Sequence, residues 1–97
     1  MKIIWSPLAV ERMTEITDYI SRDNPTAAQK WAKAVFDKIE NIQEFPLMGR
    51  IVPEANRKEI RELLFKNYRI IYRVGTDHIS ILTIRHGKQL LPSEDIE

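Results

Sequence analysis

The hydrophobic period of this chain changes once, near Glu59, and that change limits the fold more than any other feature. Before it, apolar residues recur at three and four. Ala9, Met13, Ile16 and Ile20 fall at steps of 4, 3 and 4, and Ala28, Trp31, Val35, Ile39 and Ile42 at steps of 3, 4, 4 and 3. Each set is one face of a helix. Both are preceded by the same start signal. Ser6-Pro7 and Asn24-Pro25 put a capping side chain before a proline, which at a first helical position lacks only a hydrogen that would be unpaired anyway. The few residues between the two stripes predict an antiparallel helical hairpin. Phe45-Pro46-Leu47-Met48-Gly49-Arg50 ends the second helix, because Pro46 cannot continue it and Gly49 permits a sharp turn. Residues 50–58, with Pro53 and Asn56, are expected to be an irregular loop.

After Glu59 the period is two. Ile70, Tyr72 and Val74 share one parity, and Arg69, Ile71 and Arg73 the other. Lys66-Asn67 and Gly75-Thr76-Asp77 separate three such runs, the last from His78 to His86. Two short connections in succession make a three-stranded antiparallel meander. Lys2-Ile3-Ile4-Trp5 reads as an N-terminal strand. The expected fold class is α/β of the α+β type, in the order βααβββ. One domain over residues 1–97 has the helical hairpin packed on one sheet face. The other face is expected to be partly open and basic. The tail after Gly87 has no clear period.

Composition excludes several classes of function. The chain is 43% hydrophobic and 30% charged, a globular balance rather than a disordered one. It has no Cys, hence no disulfide and no thiolate chemistry. Two His without Cys do not make a structural zinc site. No apolar run approaches the roughly 18 residues that span a bilayer. The apolar stretch at Met1–Pro7 is too short for a signal peptide. The expectation is a cytoplasmic protein with no membrane partner, no metal and no cofactor.

A net charge of +1 hides sorting by segment. Residues 1–56 carry 7 basic and 8 acidic side chains; residues 57–88 carry 8 basic and 3 acidic, a local +5; the last nine carry only Glu94, Asp95 and Glu97. Such sorting places a positive field on a nearly neutral molecule. Arg69 and Arg73 lie on one strand parity, each two-residue step being about 7 Å, with Arg61 and Arg85 on the neighbouring strands. They can hold phosphate or carboxylate groups through guanidinium forks. They can equally form a solvated face, or cross-strand pairs with Glu59 and Glu62. His86, at a strand end, has the chemistry of an acid or base near neutral pH, whereas His78 sits beside a turn. Glu54 could act as a base from its loop. Trp31 fits the core stripe, and Tyr68 and Tyr72 share the helix-facing parity.

Taken together, these residues resemble the RelE/ParE superfamily of toxins from type II toxin–antitoxin systems, over nearly the whole chain. The most specific part is Arg61-Glu62-Leu63 with Asn67-Tyr68-Arg69-Ile70-Ile71-Tyr72-Arg73-Val74 and Ile84-Arg85-His86-Gly87-Lys88. Trp5-Ser6-Pro7-Leu8-Ala9, Asp18-Tyr19-Ile20, Asn24-Pro25-Thr26-Ala27-Ala28 and Phe45–Arg50 with Pro53-Glu54 add to it. The resemblance implies the βααβββ fold and one of two activities, ribosome-dependent mRNA cleavage or poisoning of DNA gyrase. Cleavage needs a positioned acid–base set and cations. Arg69 matches one cation of the cutting members. Ile60 and Glu62 stand where their strand lysines fall, Gln89 stands near a basic position, and no Tyr follows Tyr72. Glu54, Arg69 and His86 are the remaining catalytic candidates. The match is closer to the ParE-like members. It implies a gyrase-binding toxin whose target surface is Arg61, Arg69, Arg73, Arg85, His86 and Lys88, with an mRNA endonuclease or an inactive family member as the alternatives. Its expected partners are a cognate antitoxin, in a toxin–antitoxin hetero-oligomer, and DNA gyrase, with ribosome and mRNA as the alternative target.

Overall fold

The structure is a computed structural model that describes residues 1–96. Strand β1 (Lys2–Trp5) leads into helix α1 (Pro7–Asp23) and then helix α2 (Pro25–Glu44). The sheet continues with β2 (Arg50–Ile51), β3 (Ile60–Phe65), β4 (Tyr68–Val74) and β5 (His78–His86), and a 3-10 turn closes at Ser93–Asp95. Both caps form as the sequence requires. The Ser6 hydroxyl accepts from the Ala9 amide at 3.0 Å and donates to the Leu82 carbonyl at 2.8 Å, tying the start of α1 to the sheet. The Asn24 side chain accepts from the Ala27 amide at 3.0 Å.

The strands lie in the order β1-β5-β4-β3-β2. β1 runs parallel to β5, and the other neighbours are antiparallel. The helical hairpin is the long crossover that a parallel pair needs. Residues 50–58 are not wholly irregular, because Arg50 and Ile51 pair with Glu62 and Arg61 as a fifth strand. Two residues show no period, so sequence alone gives no sign of it.

Register sorts the side chains into two cores. Ile70, Tyr72, Ile79, Ile81 and Ile84 face the helices and meet Ala9, Met13, Trp31, Val35, Ile39 and Ile42. Burying each large side chain contributes about 1.5–3 kcal/mol. The second face departs from the expectation of a partly open surface. Ile60, Ile71 and Leu82 are buried there beneath Val52, Leu91 and Ile96, with Ala55 against them. The covering segments, residues 52–55 and 91–96, are those without periodicity. An apolar residue such as Ile71 between two arginines needs such a cover to be removed from water.

Candidate functional site

The basic residues of the second face are engaged within the molecule. Glu62 is at the centre. Its side chain is 0% exposed and accepts from Arg50 Nε and Arg69 Nε, both at 2.5 Å. The two terminal nitrogens of Arg69 reach the two carboxylate oxygens of Glu54 at 2.8 Å, and its Nη1 also reaches the Gln89 carbonyl at 3.2 Å. The Leu91 amide donates to Glu54 Oε2 at 3.0 Å. Arg69 is only 5% exposed. Hydrogen bonds from Arg69 hold the Glu54 carboxyl well below its ordinary value, at about 2, against the opposing effect of burial. The same carboxylates hold the Arg69 guanidinium in its charged form more firmly than usual.

The neighbouring arginines follow suit. Arg85 lies directly across from Arg69, a like-charge pair that is unfavourable without an intervening anion. Asp95 supplies one to Arg85 at 3.2 Å. Arg73 donates to the Ile96 carbonyl at 2.6 Å. Arg61 does not belong to this cluster. It is paired with Tyr72 in register and so lies on the helix-facing side. From there it donates to the carbonyls of Lys58 (2.9 Å), Leu47 (3.3 Å) and Gly49 (3.0 Å). The Tyr72 hydroxyl donates to the Pro46 carbonyl at 2.7 Å and accepts from the Gly49 amide at 2.9 Å. Burial pushes this phenol upward from its ordinary value. Together Arg61 and Tyr72 fasten the turn after α2 to the sheet. Of the six residues expected at a target surface, Arg61, Arg69, Arg73 and Arg85 therefore make contacts internal to the fold.

His86 and Lys88 are placed differently. They line a concave pocket of about 300 Å³ with Arg50, Leu64, Lys66, Asn67, Tyr68 and Gly87. Tyr68 and His86 also line an adjoining hollow of about 370 Å³, where Arg12 and Glu15 of α1 face them. Tyr68 and His86 join the pocket to an aromatic series that begins in the core at Trp31. The Trp31 and Tyr68 rings are 5.2 Å apart, and the Tyr68 and His86 rings 5.9 Å apart at 74°. The Lys88 amide donates to His86 Nδ1 at 3.3 Å. An accepting Nδ1 assigns the proton of the neutral ring to Nε2. Arg50, Lys66 and Arg12 escape a reading by strand parity, since they sit on a two-residue strand, in a turn and on a helix. Lys66 holds the turn with a φ of 53°, a left-handed conformation uncommon outside glycine.

A second exposed region is apolar. Phe45, Leu47 and Met48 are 60%, 63% and 47% exposed after α2. Among the described residues no three His, Asp or Glu side chains gather as a metal site. No described helix is long and apolar enough to cross a membrane.

The chain matches relatives that are named as toxins. It is 33% identical over 93 residues to the toxin homologue Y4kP of Sinorhizobium fredii, covering 94% of this chain and 93% of that one. It is 31% identical over 90 residues to toxin RelE2 of Caulobacter vibrioides, covering 92% and 98%. A chain of the chromosomal ParDE TA system from P. aeruginosa has the same fold, with a TM-score of 0.73 at 22% identity over 89% of this chain and 95% of that one. The family model for the ParE toxin of the type II toxin–antitoxin system parDE matches residues 3–91. The chain therefore belongs to the ParE toxin family of type II toxin–antitoxin systems.

Proposed function

We propose that this toxin arrests bacterial growth by binding and poisoning DNA gyrase in the cytoplasm, and that a cognate antitoxin neutralises it. The observation that carries this reading is the closed network of Glu54, Arg69 and Glu62. A carboxylate whose pKa is about 2 is a poor proton acceptor at neutral pH. A guanidinium clamped by two carboxylates has no free fork for a phosphate. Two of the three candidate catalytic residues thus support a binding protein over a nuclease. His86 and Lys88, beside Arg50 and Lys66, are the target-facing part of the proposed surface. Arg61, Arg69, Arg73 and Arg85 serve it by holding the frame. The antitoxin is the expected occupant of exposed apolar surface such as Phe45, Leu47 and Met48. Induced expression tests the proposal in cells: growth stops, a DNA-damage reporter rises, and co-expression of the antitoxin reverses both. Growth arrest with a silent reporter and cleaved mRNA contradicts it.

One observation favours the alternative, a ribosome-dependent mRNA endonuclease. The pocket gathers His86 and Tyr68 with Arg50, Lys66 and Lys88, an acid–base pair among cations. In such a reaction a base takes the 2′-hydroxyl proton, that oxygen attacks the phosphorus, and an acid protonates the departing 5′ oxygen, while the cations offset the added charge. His86→Ala that leaves arrest intact eliminates this chemistry.

A further inference from the structure

Two hollows open on either side of one aromatic ridge. Tyr68 and His86 line both of them, with rings 5.9 Å apart and inclined at 74°. The hollows hold about 300 Å³ and about 370 Å³, at the lower end of the range for small-ligand sites, roughly 300–1,000 Å³.

Their chemistry differs. The first gathers Arg50, Lys66 and Lys88 with no carboxylate in its wall. Lys66 and Lys88 form no ion pair among the described residues. Arg50 gives its Nε to Glu62 and leaves its terminal nitrogens unpaired, in a side chain that is 58% exposed. Cations gathered in a concave wall focus a positive field. In the second hollow the charges are already met. Arg12 there is held by both carboxylate oxygens of Glu15, at 3.1 and 3.0 Å, and Arg85 by Asp95 at 3.2 Å. Ile16 and Ile84 give this hollow an aliphatic wall, and Gln89 adds an amide. A cationic hollow and a neutral, partly apolar one, separated by a single ridge of rings, match the phosphate and the base of a nucleotide. The polarity of His86 fits as well. Its Nδ1 accepts from the Lys88 amide at 3.3 Å, so the neutral ring carries its proton on Nε2 and offers a donor. A donor suits a phosphate oxygen and is no base for a 2′-hydroxyl.

We propose that the two hollows form one site for an unpaired nucleotide of DNA, with its phosphate among Arg50, Lys66 and Lys88 and its base across the Tyr68–His86 ridge against Ile16 and Ile84. Stacking on aromatic rings serves any sequence, because every base has a π-face. The proposal rests on the gyrase reading, which supplies the DNA: an enzyme that cuts and strains a duplex exposes bases that an intact one hides. The site makes the toxin a ligand of the gyrase–DNA complex rather than of gyrase alone.

The probe is a fluorescein-labelled ten-residue oligodeoxyuridine, whose anisotropy is titrated with the purified chain in the absence of gyrase. Saturable binding that weakens with added salt is expected, since each phosphate contact releases counterions. Lys66→Gln with Lys88→Gln is expected to weaken it about tenfold and to flatten the salt dependence. An oligomer that keeps sugars and phosphates but lacks bases is expected to bind about tenfold more weakly than the intact one. His86→Ala is expected to narrow that difference. Circular dichroism checks that each variant folds, and the comparison of intact and abasic oligomers on the unaltered chain decides alone where one does not. Equal binding of the two oligomers overturns the proposal, because charge alone then explains the contact. So does tighter binding of oligouridine, which differs from the probe only by its 2′-hydroxyls. So does a chain that inhibits gyrase through Lys66 and Lys88 yet binds no oligomer, which marks a protein contact. Base-dependent oligomer binding with undiminished supercoiling instead removes the gyrase reading and leaves the site standing.

Discussion

Glu62 shows why a single charged residue can matter more than a patch of them. Its carboxylate is fully buried and lies between two guanidiniums at 2.5 Å. Removing one member of a buried pair leaves an uncompensated charge and costs about 3–5 kcal/mol. Glu62→Ala and Arg69→Ala are each expected to lower unfolding free energy in urea by about that amount. Arg69→Lys is not expected to restore it, because one ammonium cannot replace a fork that reaches Glu54 and Glu62 together. The neighbouring Glu54 sets an acid dependence. Its folded pKa, about 2, lies below the ordinary value near 4.3. Its stabilising effect is thus complete above the unfolded value and is lost as pH falls from about 5 toward 2. Urea titrations from pH 6 to pH 2.5 are expected to show that loss, and Glu54→Gln to flatten it. Of this network the sequence offers only a cross-strand pair with Glu62, as one of several alternatives, and gives no sign of the reach to Glu54. An arginine alternating along a strand reads the same whether it meets water or a carboxylate. The partners of Arg69 lie 7 and 15 residues away, outside any local pattern.

The secondary-structure elements were legible where the period is long and a start signal precedes it. Ser6, Asn24 and the two stripes locate the helices, and the parity change after Glu59 locates the meander. Asn24→Ala is expected to cost about 1 kcal/mol, read as a lower melting temperature by roughly 4–8 °C. Gly49 is held to its identity more tightly. A Cβ there would stand 2.5 Å from the Tyr72 hydroxyl and 2.6 Å from the Glu62 carbonyl. Gly49→Ala must therefore push the turn off Tyr72, and a loss of about 1–3 kcal/mol by urea unfolding is expected, as for overpacking in a core. The sequence marks Gly49 as a turn residue but not as the place where a tyrosine reaches the backbone. The covering segment at residues 91–96 and β2 were illegible for a different reason. That segment acquires its burial from the sheet it covers, and β2 its pairing from β3, so only the assembled sheet shows either.

At the scale of the whole molecule, the charge sorting of the sequence takes on a new meaning. The +5 segment does not present an open basic face. Glu54 and Glu62 pair Arg69 and Asp95 pairs Arg85 within the fold, and His86, Lys66 and Lys88 gather with Arg50 at one end of the sheet. Family membership was legible because its motifs cover helices, strands and the turn after α2 together. The target was not, because the distinction rests on which side chains remain free after folding. The most direct test of a toxin that binds gyrase is the ATP-dependent supercoiling of relaxed plasmid by purified gyrase, titrated with the purified chain. On the gyrase reading, supercoiling is expected to fall with added toxin, cleaved DNA complexes to accumulate, and the antitoxin to restore activity. Undiminished supercoiling at a large molar excess of a toxin that still arrests growth would contradict it.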